Sequence, residues 1–153
     1  MREPLLVLGI GNPDRGDDGA GRAVARALRE TAPDGMRIVE HDGEASGLVA
    51  VLAEVTAAVI VDASASGAAP GTVRRFDVAA APLPADGTRM SSHGLGLVEA
   101  VELARVLGQL PQHCIVCAIE GADFRLGAPL SPPVAAAVRR VAADLCAEAL
   151  AAA

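Results

Sequence analysis

The chain has 153 residues, enough for one domain with a substantial core, and although 52% are apolar, no unbroken apolar run approaches the ~18–20 residues of a membrane span. Its 13 basic residues, all arginine, face 19 acidic ones for a net charge of −6, which opposes an extended nucleic-acid surface. Met1-Arg2-Glu3-Pro4 runs straight into a strand without the layout of a signal peptide, so a cytoplasmic protein that engages neither membrane nor nucleic acid is expected.

The first strand spans Pro4 to Ile10 and breaks into Gly9-Ile10-Gly11-Asn12-Pro13-Asp14-Arg15-Gly16-Asp17-Asp18-Gly19-Ala20-Gly21. Glycine-punctuated turns of this kind usually hold phosphate on backbone amides. Here Asp14, Asp17 and Asp18 stand against Arg15 alone, so the turn repels an anion and suits a cation. A helix follows from Asp18 to Thr31, with Val24, Ala25 and Leu28 on one face and Arg22, Arg26 and Arg29 on the solvated one. The turn Ala32-Pro33-Asp34-Gly35 leads to a second strand, Met36 to His41.

A second helix is expected from Ala45 to Val55, its apolar face formed by Leu48, Val51, Leu52 and Val55. Ala57 to Asp62 is a continuous apolar run of the kind that fills the middle of a parallel sheet. After the small-residue loop Ser64 to Gly71, the more polar Thr72 to Val78 reads as an edge strand. Ala79 to Ser92 has no period and holds Pro82, Pro84 and Gly87, a loop of a length that is usually functional or mobile. A helix runs from His93 to Leu107, then a last strand from Ile115 to Ile119. Ser131-Pro132 gives the N-cap and first position of a final helix, with Val134, Val138, Val141 and Leu145 inward and Arg139, Arg140, Asp144 and Glu148 solvated. The fold class is therefore α/β: one domain over 1–153, a three-layer sandwich around a twisted, mostly parallel sheet of about five strands.

The cysteines carry little chemistry. Cys114 and Cys117 lie on a strand three residues apart and point to opposite faces, so one ion cannot take both. Both, with Cys146 on the apolar side of the last helix, read as small buried hydrophobes.

Ligand sites in such sheets lie outside the carboxyl ends of the strands. Four ends deliver polar residues: Asn12 to Asp18, His41-Asp42-Gly43-Glu44, Asp62, and Glu120-Gly121, while His93 opens the helix after the long loop. Each has a plainer explanation beside the functional one. Asp18 reads equally as a first-turn carboxylate favoured by the helix dipole, and Asp62 equally as a cap for the turn through Ser64 or Ser66. Gly94 and Gly96 in a helix start cost ~1 kcal/mol each relative to Ala, which implies that something approaches the backbone closely. His113 is left structural, before a strand on the far edge.

The sequence resembles the nickel-iron hydrogenase maturation endopeptidases. The resemblance rests on Gly9-Ile10-Gly11-Asn12 through Asp17-Asp18-Gly19-Ala20-Gly21, on Asp42-Gly43, on Val59-Ile60-Val61-Asp62-Ala63, on Ser92-His93-Gly94-Leu95-Gly96-Leu97 and on Leu130-Ser131-Pro132. It covers nearly the whole chain in order, although the Gly-Gly-Thr often found after the second strand is here Gly43-Glu44-Ala45. It implies an endopeptidase that removes the C-terminal extension of a nickel-iron hydrogenase large-subunit precursor once nickel is in place. The family's metal-contacting triad falls on Asp18, Asp62 and His93, which are also the implied catalytic residues together with Asp42. Asn12, Asp17, Gly43 and Gly94 fall in the implied substrate-binding loops. The implied metal is nickel belonging to the substrate, with zinc or cadmium able to substitute, and the expected state is a monomer. Two carboxylates and an imidazole suit nickel or zinc and leave coordination positions open.

Three rival readings share part of the pattern. Gly9-Ile10-Gly11-Asn12-Pro13 is similar to the opening of peptidyl-tRNA hydrolases, but this chain has no Tyr and the wrong charge for tRNA. A dinucleotide fingerprint would need Gly where Asp14 stands. A nickel-dependent recogniser or chaperone without catalysis would need the same three ligands.

Overall fold

The computed structural model describes residues 4–84 and 94–152. The described elements are β1 (Leu5–Ile10), a 3-10 turn (Gly16–Gly19), α1 (Ala20–Thr31), β2 (Met36–His41), α2 (Ala45–Leu52), β3 (Ala57–Ser64), β4 (Val73–Asp77), α3 (Gly94–Val106), β5 (His113–Glu120) and α4 (Pro132–Ala152). Among the described residues the strands form one five-stranded sheet in the order β2-β1-β3-β5-β4. All neighbours are parallel except β4, which runs antiparallel to β5 at the edge. None of the described helices is long and apolar enough to cross a membrane.

Strand alternation divides the core into two layers. Leu6, Leu8, Ile10, Ala58, Ile60, Cys114, Val116 and Ala118 meet α2 and α3. Val7, Val59, Val61, Ala63, Cys117 and Ile119 meet α1 and α4. Cys114 and Cys117 thus face opposite layers, and burial pushes their thiols up to about 12 and about 11. Cys146 is half-buried beside Thr31.

The differences from expectation have local causes. The first helix starts at Ala20, because Asp17 and Asp18 lie in the tighter 3-10 turn before it. β3 and β5 both run two or one residues beyond their apolar cores, to Ser64 and Glu120, because these two residues pair with each other across the strands. β5 lies between β3 and β4, so His113 opens an interior strand rather than one at the far edge. The stretch 85–93, with most of the predicted long loop and His93, lies outside the described residues.

The arginine face of α1 is not simply solvated. Arg22 Nε and Arg26 Nε donate to Glu40 Oε1 of β2 at 2.8 and 2.9 Å, and Arg29 Nη1 donates to Oε2. Residues at i, i+4 and i+7 share one helix face, so three guanidiniums converge on one carboxylate. Glu148 and Arg140 of α4 are also engaged, with Arg75 at 2.7 Å and with the Gly71 carbonyl at 3.2 Å.

Burial alone would raise the Glu40 pKa, but the hydrogen bonds from Arg22, Arg29 and Arg26 outweigh it and hold the carboxyl at about 2, against 4.5 for a free side chain. A depressed carboxylate stabilises the fold fully above its unfolded pKa and loses that contribution as pH falls through the folded value. Arg26 and Arg29 are about half-exposed, and screening reduces the net contribution to ~1 kcal/mol. Glu40→Gln is therefore expected to lower stability by about that amount at pH 7. In urea denaturation the gap between variant and parent should close between pH 4.5 and pH 2.

Candidate functional site

The strand order reverses between β1 and β3: the chain leaves β1 for β2 on one side and returns for β3 on the other. The carboxyl ends of those two strands therefore splay apart, making the crevice where open α/β sheets bind ligands. Asp18 follows β1 and Asp62 lies in β3, and the 3-10 turn that carries Asp18 packs against β3. Both carboxylates are buried, Asp18 at 0% and Asp62 at 1% exposure.

Gly11 makes the tight exit from β1 possible. Its φ is +135°, and a Cβ there would sit 2.0 Å from the Asp18 carbonyl oxygen, so the two stretches of backbone lie in direct contact. Asp18 Oδ2 accepts the Asn12 amide at 3.2 Å, and Asn12 Oδ1 in turn accepts the Asp14 amide at 2.9 Å. Asp62 Oδ1 accepts the amide of the next residue, Ala63, at 2.8 Å. Register and alternation place Asp62 on the α2–α3 face, the layer into which α3 delivers its first turn. Its expected capping partner Ser66 is bonded to Glu120 instead.

The adjacent residue Asp17, expected in a substrate-binding loop, is bonded to the β5–α4 connection. It is 0% exposed, and Oδ2 accepts the amides of Ala122 and Asp123 at 2.8 and 2.9 Å and the Ser131 hydroxyl at 2.8 Å. Oδ1 accepts the Ser131 amide at 2.7 Å. These bonds tie the turn to the β5–α4 connection and engage both carboxylate oxygens. The Ser131 hydroxyl expected to cap α4 is thereby committed to Asp17, while the Ser131 carbonyl still accepts the first helical bond from Ala135 at 2.9 Å.

A cleft of about 630 Å³ opens beside the crevice, lined by Asn12, Arg22, Asp42, Gly43, Glu44 and Glu99 among others. Asn12, Asp42 and Gly43 thus share one surface, as the strand-end pattern suggests. Asp42 Oδ1 accepts the Glu44 amide at 3.0 Å, which shapes the turn, and His41 Nδ1 accepts the Gly43 amide at 2.9 Å. Glu44 caps α2. The Ser46 hydroxyl, together with the Ser46 and Gly47 amides, holds its carboxyl below the usual range. Arg22 escapes a reading based on helical faces. Its Nη1 donates to the Gly11 carbonyl at 3.1 Å while Nε holds Glu40, so it braces the cleft floor against β2. The available signal was the i, i+4, i+7 arginine series facing a strand with one acidic residue in its interior.

Gly94 is the first residue of α3, and His93 immediately before it lies outside the described residues. Among the described residues no group of three or more His, Cys, Asp and Glu side chains is arranged to hold a metal. The close approach implied by the two helix-start glycines is made at Gly96 by the protein itself: a Cβ there would lie 2.2 Å from the Gly43 carbonyl oxygen. The start of α3 is thereby pressed onto the β2–α2 turn that lines the cleft.

Comparison with known proteins agrees with this architecture. A family model described as hydrogenase maturation protease matches residues 23–148, a segment that includes Asp62 and His93 and begins just after the Asp18 turn. The hydrogenase expression/formation protein HupM of Azotobacter chroococcum mcd 1 is 30% identical over 135 residues, 86% of this chain and 65% of that protein. HoxM of Azotobacter vinelandii is 29% identical over 150 residues, covering 94% and 72%. The chain thus spans just under two thirds of the length of the HupM protein it matches. Among solved structures, the [NiFe] hydrogenase maturation protease HybD from Thermococcus kodakarensis superposes with a TM-score of 0.74 at 26% identity, covering 96% of this chain and 98% of that one. The hydrogenase maturating endopeptidase HybD from E. coli shares the fold, with a TM-score of 0.74 at 23% identity over 95% and 91%. The chain belongs to the hydrogenase maturation protease family.

The Gly96 contact makes a prediction whose sign separates two effects. Helix propensity alone favours Gly96→Ala by ~1 kcal/mol. The backbone clash with Gly43 outweighs it, and net destabilisation of ~1–3 kcal/mol is expected in urea denaturation.

Proposed function

We propose that this chain is an endopeptidase that removes the C-terminal extension of a nickel-iron hydrogenase large-subunit precursor after nickel insertion, recognising the nickel held by that substrate. Family membership supports a processing peptidase. The observation that carries the metal reading is that two buried carboxylates lie on neighbouring elements at the β1/β3 switch point: Asp18 in the 3-10 turn packed against β3, and Asp62 in β3 itself. Two acidic side chains carried by these neighbouring elements suit a cation between them. His93, one residue before α3, supplies the imidazole. Two oxygen ligands and one nitrogen suit nickel or zinc without closing the coordination shell, so the metal can keep its ligands from the precursor.

The division of work follows from placement. Asp18, Asp62 and His93 contact the substrate's nickel and so place the scissile peptide along the cleft, which converts a loose encounter into an oriented one. Asn12 and Gly43 line the path of the extension. Peptide hydrolysis needs a water whose proton is removed as it attacks the carbonyl carbon. Asp42, on the cleft wall and outside the ligand set, is assigned as the group that accepts that proton. The proton then passes to the departing amine, leaving a carboxylate and a free amino terminus. Recognition of the loaded metal makes cleavage a checkpoint on nickel insertion. The working site is cytoplasmic, and the enzyme acts as a monomer on its precursor.

Two experiments test this reading. Enzyme stripped of metal is incubated with nickel-loaded and nickel-free precursor, and the released C-terminal peptide is measured by mass spectrometry. Cleavage of the loaded form alone is expected; equal cleavage of both would remove the checkpoint, and binding without release would favour a nickel-dependent recogniser. His93→Ala should keep its circular dichroism spectrum and lose processing, since truncation at a helix start costs little packing.

The ligand set also predicts weak metal retention. Without a thiolate or a fourth protein ligand, the purified protein should be largely metal-free, and chelation should leave its melting temperature unchanged. Saturating nickel should stabilise it by RT ln(1 + [L]/Kd), ~2.7 kcal/mol at a hundred Kd. A stoichiometric zinc that survives chelation would point to an ordinary metallopeptidase instead.

A further inference from the structure

One more buried carboxylate stands at this edge of the sheet, and the proposed reaction does not use it. Glu120 ends β5 and is 2% exposed. The β3–β5 register pairs Ser64 with Glu120 and Asp62 with Ala118, so alternation puts Glu120, Ser64 and Asp62 on the same face. The Ser66 amide donates to both Glu120 oxygens, at 3.0 and 2.9 Å, and the Ser64 hydroxyl donates to Oε1 at 3.3 Å. The Ser66 hydroxyl donates to Oε1 as well. Arg74 Nη2 of β4 stands 3.9 Å from Oε1 and donates to Ser66 Oγ at 2.9 Å.

The Glu120 backbone closes the same loop from its other end. Its carbonyl accepts the Gly71 amide at 2.8 Å, and its amide donates to the Thr72 carbonyl at 2.8 Å. Both ends of the β3–β4 connection are therefore tied to one residue. The consequence falls on Asp62. Its strand continues two residues further, to Ser64, and both Ser64 and Ser66 are gripped from β5. The Ala63 amide is held where Asp62 Oδ1 accepts it.

We propose that Glu120 is a positioning residue for Asp62: through Ser64 and Ser66 it holds the end of β3 and so aims the Asp62 carboxylate into the β1/β3 crevice. This rests on the assignment of Asp62 to the substrate-metal site. A role limited to holding the fold together predicts something different. It would lower stability on mutation without altering the Asp62–Ala63 geometry. An apolar cluster of equal volume is often as stable as a buried ionic one, so stability alone does not account for a carboxylate here.

The test uses the full chain, isotopically labelled, as Glu120→Gln and Ser66→Ala. Glu148→Gln is the control, because it removes the Arg75–Glu148 pair elsewhere on β4 and should weaken the fold without touching this network. Glutamine keeps the volume but presents an NH₂ to groups that now meet two acceptor oxygens. In Glu120→Gln, amide exchange at Ala63 should rise about tenfold over the control, with a displaced Asp62 carboxyl ¹³C resonance. The kcat for nickel-loaded precursor should fall about tenfold, with KM within about twofold. Ser66→Ala, which keeps the Ser66 amide contact, should show the same changes at smaller size. If Glu120→Gln fails to fold, the Ser66→Ala spectra decide. Ala63 and Asp62 signals that match the control would overturn the proposal whatever the cleavage rate. If the parent protein cleaves no precursor, the endopeptidase reading falls by itself, and the resonances still decide the positioning role.

Discussion

The carboxyl edge of the sheet is organised around Asp17. This carboxylate is fully buried and accepts four hydrogen bonds, three from backbone amides and one from a hydroxyl, all from the connection between β5 and α4. Taking a charge out of water costs several kcal/mol, and only a complete set of donors offsets it. Once that set is in place, the 3-10 turn cannot rotate without breaking four charge-assisted bonds, each worth ~1.5–3 kcal/mol. The Asp123 carbonyl adds a fifth tie by accepting the Asp17 amide at 2.8 Å. The locked turn holds Asp18 where its Oδ2 accepts the Asn12 amide.

The same logic runs along the whole edge. Asp17 fastens the first connection to the last, and Glu120 fastens the third strand to the connection that follows it. Outside the crevice, Glu40 gathers Arg22, Arg26 and Arg29 and locks α1 onto β2. Arg22 carries that constraint into the cleft through the Gly11 carbonyl. Three carboxylates thus act as fasteners at three points around the carboxyl edge of the sheet.

The core under this site is built from small pieces. The chain has two Phe and no Trp or Tyr, and both layers are filled by Leu, Val, Ile and Ala. Alanines at 58, 100, 104 and 118 bring α3 close to the sheet, and Gly96 lets its first turn touch the β2–α2 backbone. Close approach places the start of α3 at the rim of the cleft. A bulkier core would lift that helix away from the carboxyl edge.

Much of this architecture is legible in the residue order alone. Apolar runs of five to eight residues separated by amphipathic stretches dictate a parallel α/β sandwich, because each strand must bury both faces under helices. The edge position of β4 follows from its polar alternation, and glycine after β1 marks the tight exit from that strand. Local pattern does not assign roles to neighbours of like chemistry. Asp17 and Asp18 are adjacent and identical in type, yet one is consumed by donors 105 to 114 residues away and the other accepts the amide of Asn12, six residues before it. Glu120 reads as a polar strand end and becomes the anchor of another strand's loop, while Arg22, Arg26 and Arg29 read as a solvated face and become a clamp. In each case the partner comes from an element distant in sequence. A short-range pattern determines which face a side chain takes; only the packed sheet determines what it meets there.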